Sequence, residues 1–90
     1  MVSTPEIRVD CPDEIKFQVV ERMATHFRQT HSVIETDGVR ILFDRGWGLV
    51  RASNTQPVLV LRFEAQEDDL LEEYRAEVDG ILEQARRAAA

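Results

Sequence analysis

The run Val58-Leu59-Val60-Leu61-Arg62-Phe63 limits what this chain can fold into more than any other stretch. A strand with one wet face alternates apolar and polar residues. Here both faces are apolar over the first four positions, as in a strand at the centre of a sheet. A central strand needs a partner on each edge and a cover on at least one face. The remaining residues of a 90-residue chain, enough for one small domain with a modest core, have to supply both.

Read in order, the chain contains such parts. Ile7, Val9 and Cys11 alternate with Glu6, Arg8 and Asp10, the period of a half-buried strand that Pro12 stops. Cys11 reads as a small core residue. Asp13 is placed to cap a helix running to about Gln29. Phe17, Val20, Ala24 and Phe27, widened by Val19 and Met23, form its apolar stripe, with Glu14, Lys16, Glu21, Arg22 and Arg28 on the wet side. His26 and His31 have no partner at metal-ligand spacing and read as surface or boundary residues. Ser32 to Thr36 and Val39 to Asp44 flank Asp37-Gly38, a strong hairpin signal, and Val39, Ile41 and Phe43 share one face. Arg45-Gly46-Trp47-Gly48 reads as a turn whose tryptophan either walls a ligand site or lies over the sheet edge, the second being preferred. Glu67-Asp68-Asp69 opens a second helix with acid at the positive end of its dipole. Leu71, Tyr74, Val78, Ile81, Leu82 and Ala85 are its buried stripe, and Ala88 to Ala90 are expected to fray. The order is β-α-β-β-β-β-α. The expected class is therefore α+β: a mostly antiparallel sheet with two helices on one face. The other face, carrying Leu49, Val58 and Val60, is more apolar than a free surface prefers.

The candidate site lies just before the central strand. Leu49-Val50-Arg51-Ala52-Ser53 reads as a strand in which Leu49, Arg51 and Ser53 share a face. Asn54-Thr55-Gln56-Pro57 then closes a tight polar loop. Arginine presents a planar fork of donors that fits two phosphate oxygens. Ser53 and Thr55 can each donate a hydroxyl hydrogen and Asn54 an amide hydrogen. Backbone N–H groups in a tight turn can converge on an anion. The same residues also suit a solvated hairpin loop in which Ser, Asn and Thr cap the turn through backbone bonds. Arg62 either neutralises a carboxylate or extends the basic patch.

Composition narrows the partners. The formal charge is −6, which argues against nucleic acid and anionic membranes as partners. No run approaches the ~18 apolar residues of a membrane span, and the start shows no signal peptide. The one cysteine, Cys11, excludes an internal disulfide and fits a reducing compartment, so a cytoplasmic location is expected. Phosphate binding by so acidic a chain has to rest on local geometry, which screening over about 8 Å permits.

Three segments together carry a family likeness. They are Asp37-Gly38-Val39-Arg40, Gly46-Trp47-Gly48-Leu49-Val50-Arg51-Ala52-Ser53-Asn54-Thr55-Gln56-Pro57, and Val58-Leu59-Val60-Leu61-Arg62-Phe63-Glu64-Ala65. They resemble the C-terminal, fourth domain of the α-D-phosphohexomutases, most of all the bacterial phosphomannomutase/phosphoglucomutase branch. Ser3-Thr4-Pro5-Glu6-Ile7 resembles the start of that domain. The resemblance implies a fold related to the TATA-box-binding protein, with a β-α-β4-α unit. It implies that residues 1–90 are a single domain and a fragment of a larger enzyme, an isomerase of carbohydrate metabolism. The whole enzyme moves phosphate between O1 and O6 of a mannose or glucose phosphate through a 1,6-bisphosphate, with a phosphoserine and a magnesium ion in other domains. By motif position, Arg51, Ser53, Asn54 and Thr55 hold the phosphate that is not being transferred. No catalytic residue, metal ligand or cofactor site is expected here. The implied partners are the phosphohexose and the remaining domains, and the fragment alone is expected to be inactive. The alternative is a stand-alone small-molecule or protein interaction module of the same fold.

Overall fold

The computed structural model describes residues 1–90. The strands are β1 (Val2–Ser3), β2 (Ile7–Asp10), β3 (Ser32–Ile34), β4 (Val39–Phe43), β5 (Gly46–Ala52) and β6 (Val58–Ala65). The helices are α1 (Lys16–Arg28) and α2 (Asp68–Ala89). The class is α+β, as the pattern implied, and every strand pair is antiparallel.

β6 holds the centre. β5 pairs along one edge, from Gly46 opposite Ala65 to Ala52 opposite Leu59. On the other edge β2 pairs with residues 58 to 61 and β1 with residues 64 and 65. β4 and then β3 extend the sheet beyond β5. Two strands therefore precede α1, where the order β-α-β-β-β-β-α has one. Pro5 has no N–H for the ladder, and Thr4 bridges the gap: its N–H donates to the Phe63 carbonyl, and its hydroxyl accepts from Phe63 N–H.

Both helices pack on one face. Val39 and Ile41 from β4, Val50 from β5, and Leu59, Leu61 and Phe63 from β6 meet Val19, Met23, Phe27 and Val78 in a dry core. Gly48 sits in that face because a Cβ there would lie 2.9 Å from the Phe63 ring. Cys11 is part of the core, and burial pushes its thiol pKa up.

Helix α1 departs from expectation at its start. Asp13 does not cap it. The chain turns through Pro12 to Ile15, with Ile15 N–H and Lys16 N–H both donating to the Pro12 carbonyl, and the helix proper begins at Lys16. Lys16 is buried at 4% exposure, and the Asp13 carboxylate is 2.8 Å from its ammonium. A buried ammonium needs a counter-charge, which gives Asp13 a different task. Phe17, expected inside, is 58% exposed. The stripe has rotated so that Lys16, Val19, Met23, Ala24 and Phe27 face inward.

Two further expectations change. Gly46 and Trp47 belong to β5 rather than to a turn, and the reversal is confined to Asp44-Arg45. Helix α2 stays helical to Ala89, with the Ala90 N–H on the Arg86 carbonyl. On the helix-free face Val58 and Val60 are buried without a covering layer. Val60 is flanked in register by Arg8 and Arg51. No helix is long and apolar enough to cross a membrane.

A Cβ at Gly80, inside α2, would meet nothing within 4 Å. Gly80→Ala should therefore stabilise the fold by up to about 1 kcal/mol through helix propensity alone. Chemical denaturation would show this as a raised midpoint at unchanged slope; a lowered midpoint would mean that the position is crowded.

Candidate functional site

The loop after β5 inherits its aim from strand parity. Val50 and Ala52 point into the core, so Arg51 emerges on the helix-free face. Ser53 N–H donates to the Val58 carbonyl, so the strands stay paired up to the loop. Ser53 itself is buried, and its Oγ accepts from both Thr55 N–H and Gln56 N–H, at 3.3 and 3.2 Å. This is the turn-capping bond that the residue types allowed. It occupies the hydroxyl's acceptor side and leaves its hydrogen to donate. Asn54 and Thr55 are exposed at the tip.

The loop is tied from outside as well. The Lys16 ammonium donates to the Gln56 carbonyl at 3.1 Å. The Arg8 guanidinium donates to Gln56 Oε1. Cys11 N–H donates to the Pro57 carbonyl at 2.8 Å. Helix α1, strand β2 and the residue just after β2 thus hold one short loop, an arrangement suited to presenting donors without reordering. Nothing in the sequence pattern marked Lys16 for this task; its one signal is that the chain's single lysine lies one residue from an apolar stripe.

Arg51 takes part in none of the ion pairs or side-chain hydrogen bonds of the structure. It lines a depression of about 350 Å³ with Ile34, Thr36, Asp37, Arg40 and Leu49. Asn54 lines a neighbouring depression of about 310 Å³ that includes Glu35, Gly38 and Ala52. Asp37 borders both. The structure therefore gathers the four motif residues at one corner of the sheet but distributes them: Arg51 on one side of the Asp37-Gly38 turn, Asn54 on the other, Thr55 at the tip and Ser53 beneath. Gly38, at φ +77°, makes that corner possible. A Cβ there would lie 2.3 Å from the Val50 carbonyl oxygen and 2.6 Å from Arg51 Cβ. Arg62 is exposed and has no ion-pair partner.

An ion pair fixes the approach to this corner. Arg28 at the end of α1 grips Glu35 through two hydrogen bonds of 2.7 and 2.6 Å, just before the turn. Those bonds hold the Glu35 carboxyl below its ordinary pKa. Elsewhere Trp47 Nε1 donates to Glu64, and the Arg40 guanidinium lies 4.4 Å above the indole. Trp47 therefore faces the outer surface of the sheet and does not close its edge. No group of three or more His, Cys, Asp or Glu is placed to hold a metal ion.

Comparison with known proteins identifies the class. The profile of the family described as phosphoglucomutase/phosphomannomutase, C-terminal domain, matches residues 6–81, and the chain belongs to that family. A phosphomannomutase/phosphoglucomutase from Pseudomonas putida is 52% identical over 68 residues, covering 74% of this chain and 15% of that protein. A phosphoglucomutase from Neisseria meningitidis is 38% identical over 85 residues, covering 91% of this chain and 18% of that protein. The crystal structure of a phosphoglucomutase/phosphomannomutase family protein from Burkholderia thailandensis superposes with a TM-score of 0.79 at 32% identity, over 99% of this chain and 19% of that one. The chain thus spans less than a fifth of the length of these relatives.

Two outcomes check the supports of the corner. Lys16→Met keeps the stem and removes the ammonium, and should cost ~1–3 kcal/mol as the Gln56 carbonyl loses a charged donor. Amide exchange should then quicken at 54–56 more than along β6; equal quickening would mean that Lys16 supports only the fold. In a carboxyl titration followed by NMR, Glu35 should ionise below the ordinary value of about 4.3, and Arg28→Met should raise its midpoint. Because the folded-state pKa is lowered, the pair's stabilisation is present above the ordinary value and is lost as pH falls through the lowered one.

Proposed function

We propose that this chain is the phosphate-holding domain of a phosphohexomutase, and that Arg51 with Ser53, Asn54 and Thr55 grips the phosphate not undergoing transfer. The observation that carries the reading is Arg51: a guanidinium without a carboxylate partner, lining a depression, at the end of the strand that leads into a loop tied to α1 and β2. A guanidinium opposes a dianion with a bidentate fork, and the loop donors at its side are short.

The chemistry of the whole reaction gives such a grip its use. In a mutase that works through a hexose 1,6-bisphosphate, the intermediate has to turn over between two phosphoryl transfers. A clamp that senses only charge and oxygen geometry accepts the phosphate on O1 or on O6 alike. Its binding energy is then available to place the reacting phosphate and close the site around it. The family resemblance assigns the metal, the phosphoserine and the contacts to the sugar hydroxyls to other parts of the protein, and the 90 residues alone are expected not to catalyse. Choice between mannose and glucose would lie with those other contacts.

In a full-length mutase containing this domain, Arg51→Ala should raise KM and lower kcat together. The loss in kcat/KM should be about 10- to 100-fold, as expected when a charge-assisted bond worth about 1.5–3 kcal/mol is removed. Unchanged kinetics would remove Arg51 from the grip. In the 90-residue chain, inorganic phosphate or glucose 6-phosphate should shift the amides of 51–55 with a midpoint in the ~millimolar range. No shift at tens of millimolar would mean that the loop does not hold phosphate by itself.

A further inference from the structure

The motif loop accounts for one arginine in the depression, but the depression contains two. Arg40 on β4 lies opposite Leu49 in register, and Arg51 is two residues further along β5. Diagonal positions of this kind on one sheet face are about 7–8 Å apart, close enough for two arginine side chains to reach one phosphate group. Both residues line the same space, with Ile34, Thr36, Asp37 and Leu49.

We propose that Arg40 is a second anion-binding residue of this site, acting with Arg51 on the same oxyanion. The inference rests on the phosphate reading of the loop and goes beyond it, because Arg40 lies on a different strand from the loop motif.

Trp47 is the contact that Arg40 makes in the structure, its guanidinium 4.4 Å from the centre of the indole. Trp47 lies two residues before Leu49 on β5 and Arg51 two after it, so Arg40 leaves the ring to meet an anion held by Arg51. A guanidinium carries five N–H donors. None of them is taken up within the protein: Arg40 joins no ion pair and no side-chain hydrogen bond. The nearest candidate acids are otherwise placed. Glu64 accepts from Trp47 Nε1 at 3.2 Å, which fixes the ring. Asp37 borders the depression but pairs with neither arginine. Leu49 and Ile34 supply apolar wall, which strengthens a charge–charge contact relative to open water. A weakly hydrated guanidinium whose donors have no partner within the protein is available to an oxyanion.

Trp47 is the only tryptophan, so its emission reports directly on Arg40. Inorganic phosphate and glucose 6-phosphate would be titrated into the 90-residue chain at constant ionic strength, following both Trp47 fluorescence and the amides of 51–55. The expected result is one midpoint for both signals. In Arg40→Met the loop amides should still shift, with a midpoint raised roughly five- to tenfold, and the Trp47 response should disappear. Arg22→Met, on helix α1 and away from this sheet face, should leave both signals and the midpoint unchanged. An unaltered midpoint in Arg40→Met overturns the proposal, as does an equal loss in Arg22→Met, which would mark a diffuse charge effect. Silent loop amides with a Trp47 response that depends on Arg40 would sink the loop reading and leave Arg40 as an anion site on its own. Silence of both signals in the unmodified chain would sink both.

Discussion

The double pairing of β6 is the constraint on which the other elements depend. With β5 on one edge and β1 and β2 on the other, its backbone groups are satisfied laterally and its inner side chains become the floor of the core. The strands that flank it come from the start of the chain and from its middle. The first residues of the chain and the segment before β6 are therefore bound to a common strand, and the loop joining β5 to β6 is closed by pairing at its base. A loop anchored this way needs few contacts of its own to be rigid. It nevertheless receives several, from Ser53, Lys16, Arg8 and Cys11.

Charge is divided between the two sides of the molecule. The chain carries a formal −6, yet the helix-free face gathers Arg8, Arg40, Arg51 and Arg62, placed there by strand parity and register. Many of the acids lie along α2. The net charge therefore says little about what an anion meets on approaching the loop. At physiological salt, fields are damped over about 8 Å, so the arginines of this face count for more at the loop than the carboxylates of α2 do.

Much of this was legible in the sequence where one physical rule acted alone. Two-sided apolarity placed β6 at the centre, Asp37-Gly38 placed the β3–β4 hairpin, and alternation sent Arg51 outward beside the loop. The α2 stripe gave Tyr74, Val78, Leu82 and Ala85 correctly as buried. Reading failed where two rules competed. Asp13 is a good cap by residue type, but a buried ammonium one turn away claims its carboxylate. Phe17 is a better core residue than Lys16 by hydrophobicity, yet the helix turns Lys16 inward, where it reaches the Gln56 carbonyl. Gly46 and Gly48 suggested a turn, whereas Gly48 serves as the small residue that the Phe63 ring requires. The pairing of Arg40 with Trp47 depends on register between strands, which periodicity along one strand does not report.

The place where the chain enters the sheet has a mechanical consequence. β1 pairs with the Ala65 end of β6, whereas the loop meets its Val58 end. At about 3.3 Å per residue the two ends are ~23 Å apart. A pivot of about ten degrees at the entrance would carry the loop through an arc of roughly 4 Å on that lever arm, more than the length of a hydrogen bond. A small angular change at one end of this domain is thus amplified into making or breaking contact at the other.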